Sequence, residues 1–72
     1  MHRIIHGQAP NAKYRNGWWV QCNHPLHQWK GYVLGSQNIE DDLIEYEVDG
    51  GPPVVPESLV PLLLWEHEIV PA

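Results

Sequence analysis

The sequence predicts an all-β domain: a small five-stranded barrel whose last strand follows a one-turn 3₁₀ helix. Three observations carry this. From Ile44 to Asp49, apolar Ile44, Tyr46 and Val48 alternate with acidic Glu45, Glu47 and Asp49, the period of a half-buried strand. Seven Pro and six Gly in 72 residues shorten every regular element and favour brief strands over long helices. Four Trp, three Tyr and 43% hydrophobic residues supply the bulky apolar material of a folded core.

Residues 1–17 mix His, Asn, Gly and Pro without periodicity and read as an N-terminal arm, with room for a short strand at Arg3–His6. The barrel then occupies residues 18–72. Asn16-Gly17 is a strong turn pair, and Trp18–Cys22 after it reads as the first strand, with Trp18, Val20 and Cys22 on one face. Pro25 biases His24 to an extended conformation and interrupts the ladder, so Asn23–Gln28 is a loop. Trp29–Leu34 is the second strand, with Trp29, Gly31 and Val33 on one face and Lys30, Tyr32 and Leu34 on the other. Gly31 admits either a close neighbouring backbone or a bend.

Gly35–Asn38 and Glu40–Asp42 form a polar connection to the third strand, Leu43–Val48, which has one core face and one acidic, solvated face. Asp49-Gly50-Gly51 supplies positive-φ residues for a tight turn. Val54-Val55 is a short fourth strand, and Pro56–Leu59 a single 3₁₀ turn with Leu59 pointing inward. The apolar run Leu62–Val70, bracketed by Pro61 and Pro71, suits a strand or a short helix; strand is favoured.

Size and composition bound the function. Seventy-two residues make one domain, near the lower limit for a single core without staples. The single cysteine, Cys22, excludes an internal disulfide framework, and with no signal-peptide pattern the expected location is cytoplasmic. The longest apolar run, Val60–Trp65, is far short of the roughly 20 residues that span a bilayer, so no membrane segment is expected. Net charge is −5 with only Arg3, Lys13, Arg15 and Lys30 as cations. So few phosphate-neutralising groups disfavour direct nucleic-acid binding, and an acidic surface suits a protein partner with a basic face.

The succession Trp29-Lys30-Gly31-Tyr32-Val33-Leu34-Gly35, acidic turn, Tyr46-Glu47-Val48, then Val55-Pro56-Glu57-Ser58-Leu59 resembles bacterial SH3-like small barrels over about residues 18–65. It is similar to type II dihydrofolate reductases in the first two of these segments. That family's active pore uses a Val-Gln-Ile-Tyr segment, where this chain has Pro53-Val54-Val55-Pro56; the activity is therefore not carried over, and a reductase-like homo-oligomeric enzyme is a distant alternative. His24-Pro25-Leu26-His27 resembles the His-Pro-x-His of the ferredoxin-thioredoxin reductase variable chain and the nitrile hydratase β-subunit. Both are non-catalytic companions of a catalytic subunit, so the resemblance implies docking.

Cys22, His24 and His27 form Cys-x-His-x-x-His, donors that suit zinc or copper. A structural site would need a fourth ligand such as His2, His6 or His67. The competing reading, which the sequence favours, makes Cys22 a buried strand residue and both histidines loop polars. A nucleophilic Cys22–His24 pair lacks an oxyanion-forming glycine elbow, and no cofactor is implied.

Glu40, Asp41, Asp42, Glu45, Glu47, Asp49 and Glu57 gather on the second half of the chain without the spacing of a calcium loop; beside the plain reading of a solvated sheet face, they read as an acidic strip that steers encounter with a basic partner. Adjacent Trp18 and Trp19 must face opposite ways on a strand. One of the two is then either covered, by the N-terminal arm or by Leu62–Val70, or at an interface, where an exposed aromatic such as Trp19 beside Tyr14 or Tyr32 is the kind of anchor that protein recognition uses. The sequence-level expectation is thus a small acidic, non-enzymatic interaction module. It would dock on a protein partner through Glu40, Asp41, Asp42, Glu45, Glu47, Trp19 and Tyr32, with self-association open to it. Its size and acidity suit an accessory protein of a phage or mobile element, for instance an inhibitor of a nucleic-acid enzyme. The alternative is a metal-binding accessory subunit built on Cys22, His24 and His27.

Overall fold

A computed structural model describes residues 4–50, 55–59 and 62–72. Five strands form one antiparallel sheet: β1 Trp19–Asn23, β2 Gln28–Glu40, β3 Leu43–Val48, β4 Leu63–Trp65 and β5 Ile69–Pro71. The order across it is β4-β3-β2-β1-β5. Two 3₁₀ turns interrupt the second half, Glu57–Leu59 ahead of β4 and Glu66–Glu68 immediately ahead of β5. The fold is therefore all-β, with a 3₁₀ turn before the last strand as the sequence predicts. β4 and β5 are the two edges, and no ladder joins them among the described residues. The sheet is open, and the expected barrel closure is not made by strand pairing.

Element boundaries moved where tertiary pairing outweighed local polarity. β2 runs 13 residues, well past Leu34, because β3 offers a ladder partner from Val33↔Val48 out to Glu40↔Leu43. The polar stretch Gly35–Glu40 is thus strand, and only Asp41-Asp42 is left as the turn. Register shifts at Val33/Gly35 and Asn38/Glu40 mark bulges, which bend the long strand so that one half pairs with β1 and the other with β3. The apolar run Leu62–Val70 is two three-residue strands, β4 and β5, split by the 3₁₀ turn. The capping interaction at that turn is local: Glu68 Oε1 accepts the Trp65 backbone N–H at 2.9 Å. Of the strand expected at Val54-Val55, Val54 lies outside the described residues, and Val55 is a fully buried bend residue. Of the short strand expected at Arg3–His6, Arg3 lies outside them and Ile4–His6 is not strand.

The inward faces read as alternation requires. Val20 and Cys22 on β1, Trp29 and Val33 on β2, Ile44, Tyr46 and Val48 on β3, Leu64 on β4 and Ile69 on β5 form one buried cluster with Val55 and Leu62. Each such side chain contributes about 1.5–3 kcal/mol by leaving water. Gly31 belongs to this face because a Cβ there would lie 2.3 Å from the Asp49 carbonyl oxygen, which also accepts the Trp29 indole N–H at 3.1 Å. Gly17 has φ +91, as the Asn16-Gly17 turn demands. Gly50 does not have the positive φ expected of it. It is small because a Cβ there would sit 2.7 Å from both Trp29 Nε1 and Leu62 Cδ1.

The N-terminal segment lies against the sheet from Ile4 onward. Ile5, Ala9 and Tyr14 are buried, and side-chain and backbone groups of the sheet hold its backbone. Glu47 Oε1 accepts the N–H groups of Ile4 and Ile5 at 2.8 and 2.9 Å, and Ser36 Oγ accepts that of Ala9 at 2.9 Å. The Ser36 N–H donates to the Gly7 carbonyl at 3.0 Å, and Tyr46 Oη accepts the Tyr14 N–H at 3.3 Å. Tyr14 then reaches across to β5, its hydroxyl donating to the Ile69 carbonyl at 3.0 Å.

Candidate docking surface

Trp19 and Tyr32 are directly opposite each other in the β1–β2 ladder. Their rings meet edge to face at a centroid distance of 4.7 Å, yet Trp19 remains 48% and Tyr32 50% exposed. Both point away from the core because Val20 and Gly31, their ladder neighbours, point into it. Gln21 pairs with Lys30 on one side and with Val70 of β5 on the other, so these three share the outward face with the aromatic pair. No described element covers this face of β5-β1-β2, and Val70 on it is 41% exposed. An edge-to-face pair fixes two large rings before any partner arrives, which lowers the entropy lost on docking.

Trp18 is 50% exposed as well, although neighbouring Trp19 is outward. It precedes β1 and extends the ladder by one residue, its carbonyl accepting the Val33 N–H at 3.0 Å. Val20 and Cys22, with which the sequence puts it on one face, are enclosed, and Trp18 is not.

The acidic residues do not form one strip. Glu40, Asp41 and Asp42 are exposed at the β2–β3 turn, with a shallow hollow between them and Leu43. Glu45 is half-buried, and its Oε1 accepts the Gln37 side-chain amide at 2.8 Å. Glu47 is a correction: it is fully buried rather than solvated. It is on the outer face of β3, as alternation requires, but the N-terminal segment crosses that face, and its carboxylate serves Ile4 and Ile5. The second oxygen, Oε2, has no hydrogen-bond partner among the described residues. Tyr32 and Glu40 are eight positions apart on β2, up to about 26 Å of strand at roughly 3.3 Å per residue. Asp42 of the turn nevertheless lines one groove with Val70 of β5, so the acidic turn adjoins the β5 side of the aromatic face.

Cys22, His24 and His27 are not brought together as ligands, and no described group of three or more His, Cys, Asp or Glu could hold a metal ion. Cys22 points into the core at 0% exposure, and burial pushes its thiol up to about 12. That suppresses the thiolate which both metal binding and nucleophilic attack require. His24 is used locally instead: its Nδ1 accepts the Leu26 N–H at 3.1 Å and its carbonyl the His27 N–H at 3.1 Å, closing the β1–β2 turn. Of the segment compared with the reductase pore, Pro53 and Val54 lie outside the described residues.

A groove is lined by Tyr14, Asp42, Trp65, Glu66, Ile69 and Val70 among others. The Tyr46 hydroxyl donates to Glu66 Oε2 at 2.5 Å, and the Lys13 N–H donates to the same oxygen at 3.3 Å. Burial first, and the hydrogen bond to Glu66 second, push the Tyr46 phenol up to about 12. Tyr14 packs edge-on against Tyr46 at 5.7 Å, so these groups tie the N-terminal segment to β3 and the 3₁₀ turn.

The sequence puts Lys30 and Tyr32 on one face and Trp19 opposite Val20 and Cys22, as found. It does not bring Val70 to them, because that place depends on β5 pairing with β1. No helix among the described residues is long and apolar enough to cross a membrane. Compared with known proteins, the chain matches no family model, no curated protein and no solved structure.

Proposed function

We propose that this chain is a non-enzymatic interaction module, an SH3-like small barrel, that docks on a protein partner through the outward face of β5-β1-β2. The observation that carries the reading is the Trp19–Tyr32 pair: two large rings held against each other and half exposed, with Val70 on the same uncovered face. Aromatic residues with a polar handle dominate recognition energy when a partner excludes water from them. The strand order β4-β3-β2-β1-β5, with a 3₁₀ turn ahead of the last strand, supports the SH3-like reading of the fold.

The acidic turn Glu40–Asp42 is the second contact. Carboxylates clustered at one end of a chain of net charge −5 accelerate encounter with a basic surface and orient the approach. A reducing, cytoplasmic setting suits the lone buried thiol of Cys22.

The test is capture from an extract of the source cells on immobilised chain, with bound proteins identified by mass spectrometry. Trp19→Ala combined with Tyr32→Ala is expected to reduce recovery of the specific partner by about 30-fold, the effect of losing a hot spot of roughly 2 kcal/mol. Asp41→Lys with Asp42→Lys is expected to slow capture and remove its salt dependence. Equal recovery of the same proteins by the aromatic double variant overturns the reading.

A further inference from the structure

We infer that the aromatic face of one copy receives the acidic β2–β3 turn of a second copy, so that the chain associates head to tail. The inference rests on the reading of β5-β1-β2 as a docking face and names one occupant for it.

The two surfaces are complementary in charge and in apolar content. The outward ladder residues of that face, Trp19, Gln21, Gln28, Lys30, Tyr32 and Val70, include a cation and no carboxylate, and of the chain's nine Asp and Glu the exposed Asp49 flanks it, its N–H bonding the Tyr32 carbonyl at 2.8 Å. No described ion pair engages Lys30. The β2–β3 turn offers the reverse, Glu40, Asp41 and Asp42 beside Ile39, whose side chain is 48% exposed. Ile39 supplies the apolar contact for the rings of Trp19 and Tyr32, and the carboxylates supply the partner for Lys30.

Within one chain no described ion pair joins Lys30 to the turn, ten positions further along β2. A contact between copies joins two different patches and is therefore heterologous, extending into a ring or an open string. Repulsion between two chains of net charge −5 acts mostly beyond the screening length of about 8 Å at physiological salt, whereas a Lys30–carboxylate contact acts well inside it. A hairpin turn covers less than the roughly 800 Å² per partner of a stable complex, so association is weak and concentration-dependent. It occupies the same rings that a foreign partner needs and so competes with that partner.

The experiment uses the purified full chain alone. Sedimentation equilibrium at about physiological salt, from about 20 µM to about 1 mM, is expected to show an average mass rising above one chain. Amide signals of Lys30 and Tyr32 are expected to move together with those of Asp41 and Asp42 on dilution. Lys30→Glu alone, and Asp41→Lys with Asp42→Lys alone, are each expected to stay monomeric. An equimolar mixture of the two is expected to associate again, because the reversed face of one meets the reversed turn of the other. A constant monomer mass for the unaltered chain overturns the inference, as does association that survives in either variant or a mixture that stays monomeric. All of these residues are exposed, and an unchanged melting temperature for both variants excludes unfolding as the cause. No foreign protein is present, so failure here leaves capture by Trp19 and Tyr32 to be judged on its own test.

Discussion

Glu47 Oε1 accepts the backbone N–H of Ile5 at 2.9 Å and that of Ile4 at 2.8 Å, joining β3 to the N-terminal segment across 42 residues of sequence. A carboxylate that appears in the sequence as one more solvated acid is in the structure the group that satisfies two backbone donors under cover. Buried donors left unpaired cost about 1–3 kcal/mol each, so this side chain contributes directly to holding the N-terminal segment on the sheet.

Glu47→Ala is therefore expected to destabilise the fold by about 3 kcal/mol or more, since it strands two backbone donors. Glu47→Gln retains an acceptor oxygen and is expected to cost roughly half as much. Urea unfolding measures both, and hydrogen exchange at Ile5 and Ala9 is expected to accelerate before that of the β1–β2 ladder. Wild-type stability in Glu47→Ala would show that the Glu47 hydrogen bonds to Ile4 and Ile5 contribute nothing to the fold.

Tyr46 and Glu66 set a stability limit at high pH. The Tyr46 phenol is held up near 12 against its ordinary 10, so the fold favours the protonated form. The resulting stabilisation is fully present below pH 10 and is lost as pH rises through about 12. Tyr46→Phe is expected to cost about 1–3 kcal/mol near neutral pH, because the Tyr14 N–H loses its acceptor. It is also expected to flatten the alkaline limb, read as melting temperature against pH.

Cys22 is expected to be inert. With its thiol pushed up to about 12 and no exposed surface, it should not react with a disulfide reagent at pH 8 in the folded chain and should react fully in denaturant. Rapid native-state labelling, or stoichiometric zinc retained through dialysis of untagged protein, would contradict the placement of its side chain.

The tryptophans divide into two classes. Trp29 is buried and hydrogen-bonded to the Asp49 carbonyl, so Trp29→Ala is expected to cost about 3–5 kcal/mol. Trp19→Ala is expected to cost less than about 1 kcal/mol while removing half of the docking pair. Chemical denaturation of the two variants side by side separates a core role from a surface role.

Gly31→Ala is expected to destabilise by about 1–3 kcal/mol or more, because the new methyl meets the Asp49 backbone oxygen rather than a side chain that can rotate away. A neutral result would mean that the β2–β3 junction tolerates a wider separation than the structure has.

The sequence by itself determined the fold class, the inward residues of β1 and β3, the Asn16-Gly17 turn and the shared face of Lys30 and Tyr32, while the exposure of Trp19 came from the structure. These follow from period-two alternation and turn chemistry, which are local and survive without knowledge of neighbours. Only the tertiary structure decided that Gly35–Glu40 is strand, that the run after Leu62 splits into two edges, and that Val70 joins the aromatic face. Each depends on which strand lies alongside, and polar residues pair as readily as apolar ones once a ladder is offered. The same holds for Glu47. Alternation assigns it to the outer face of β3, and that assignment is right, but whether an outer face meets water is settled by a segment more than 40 residues away in sequence that crosses it and needs an acceptor for two backbone donors.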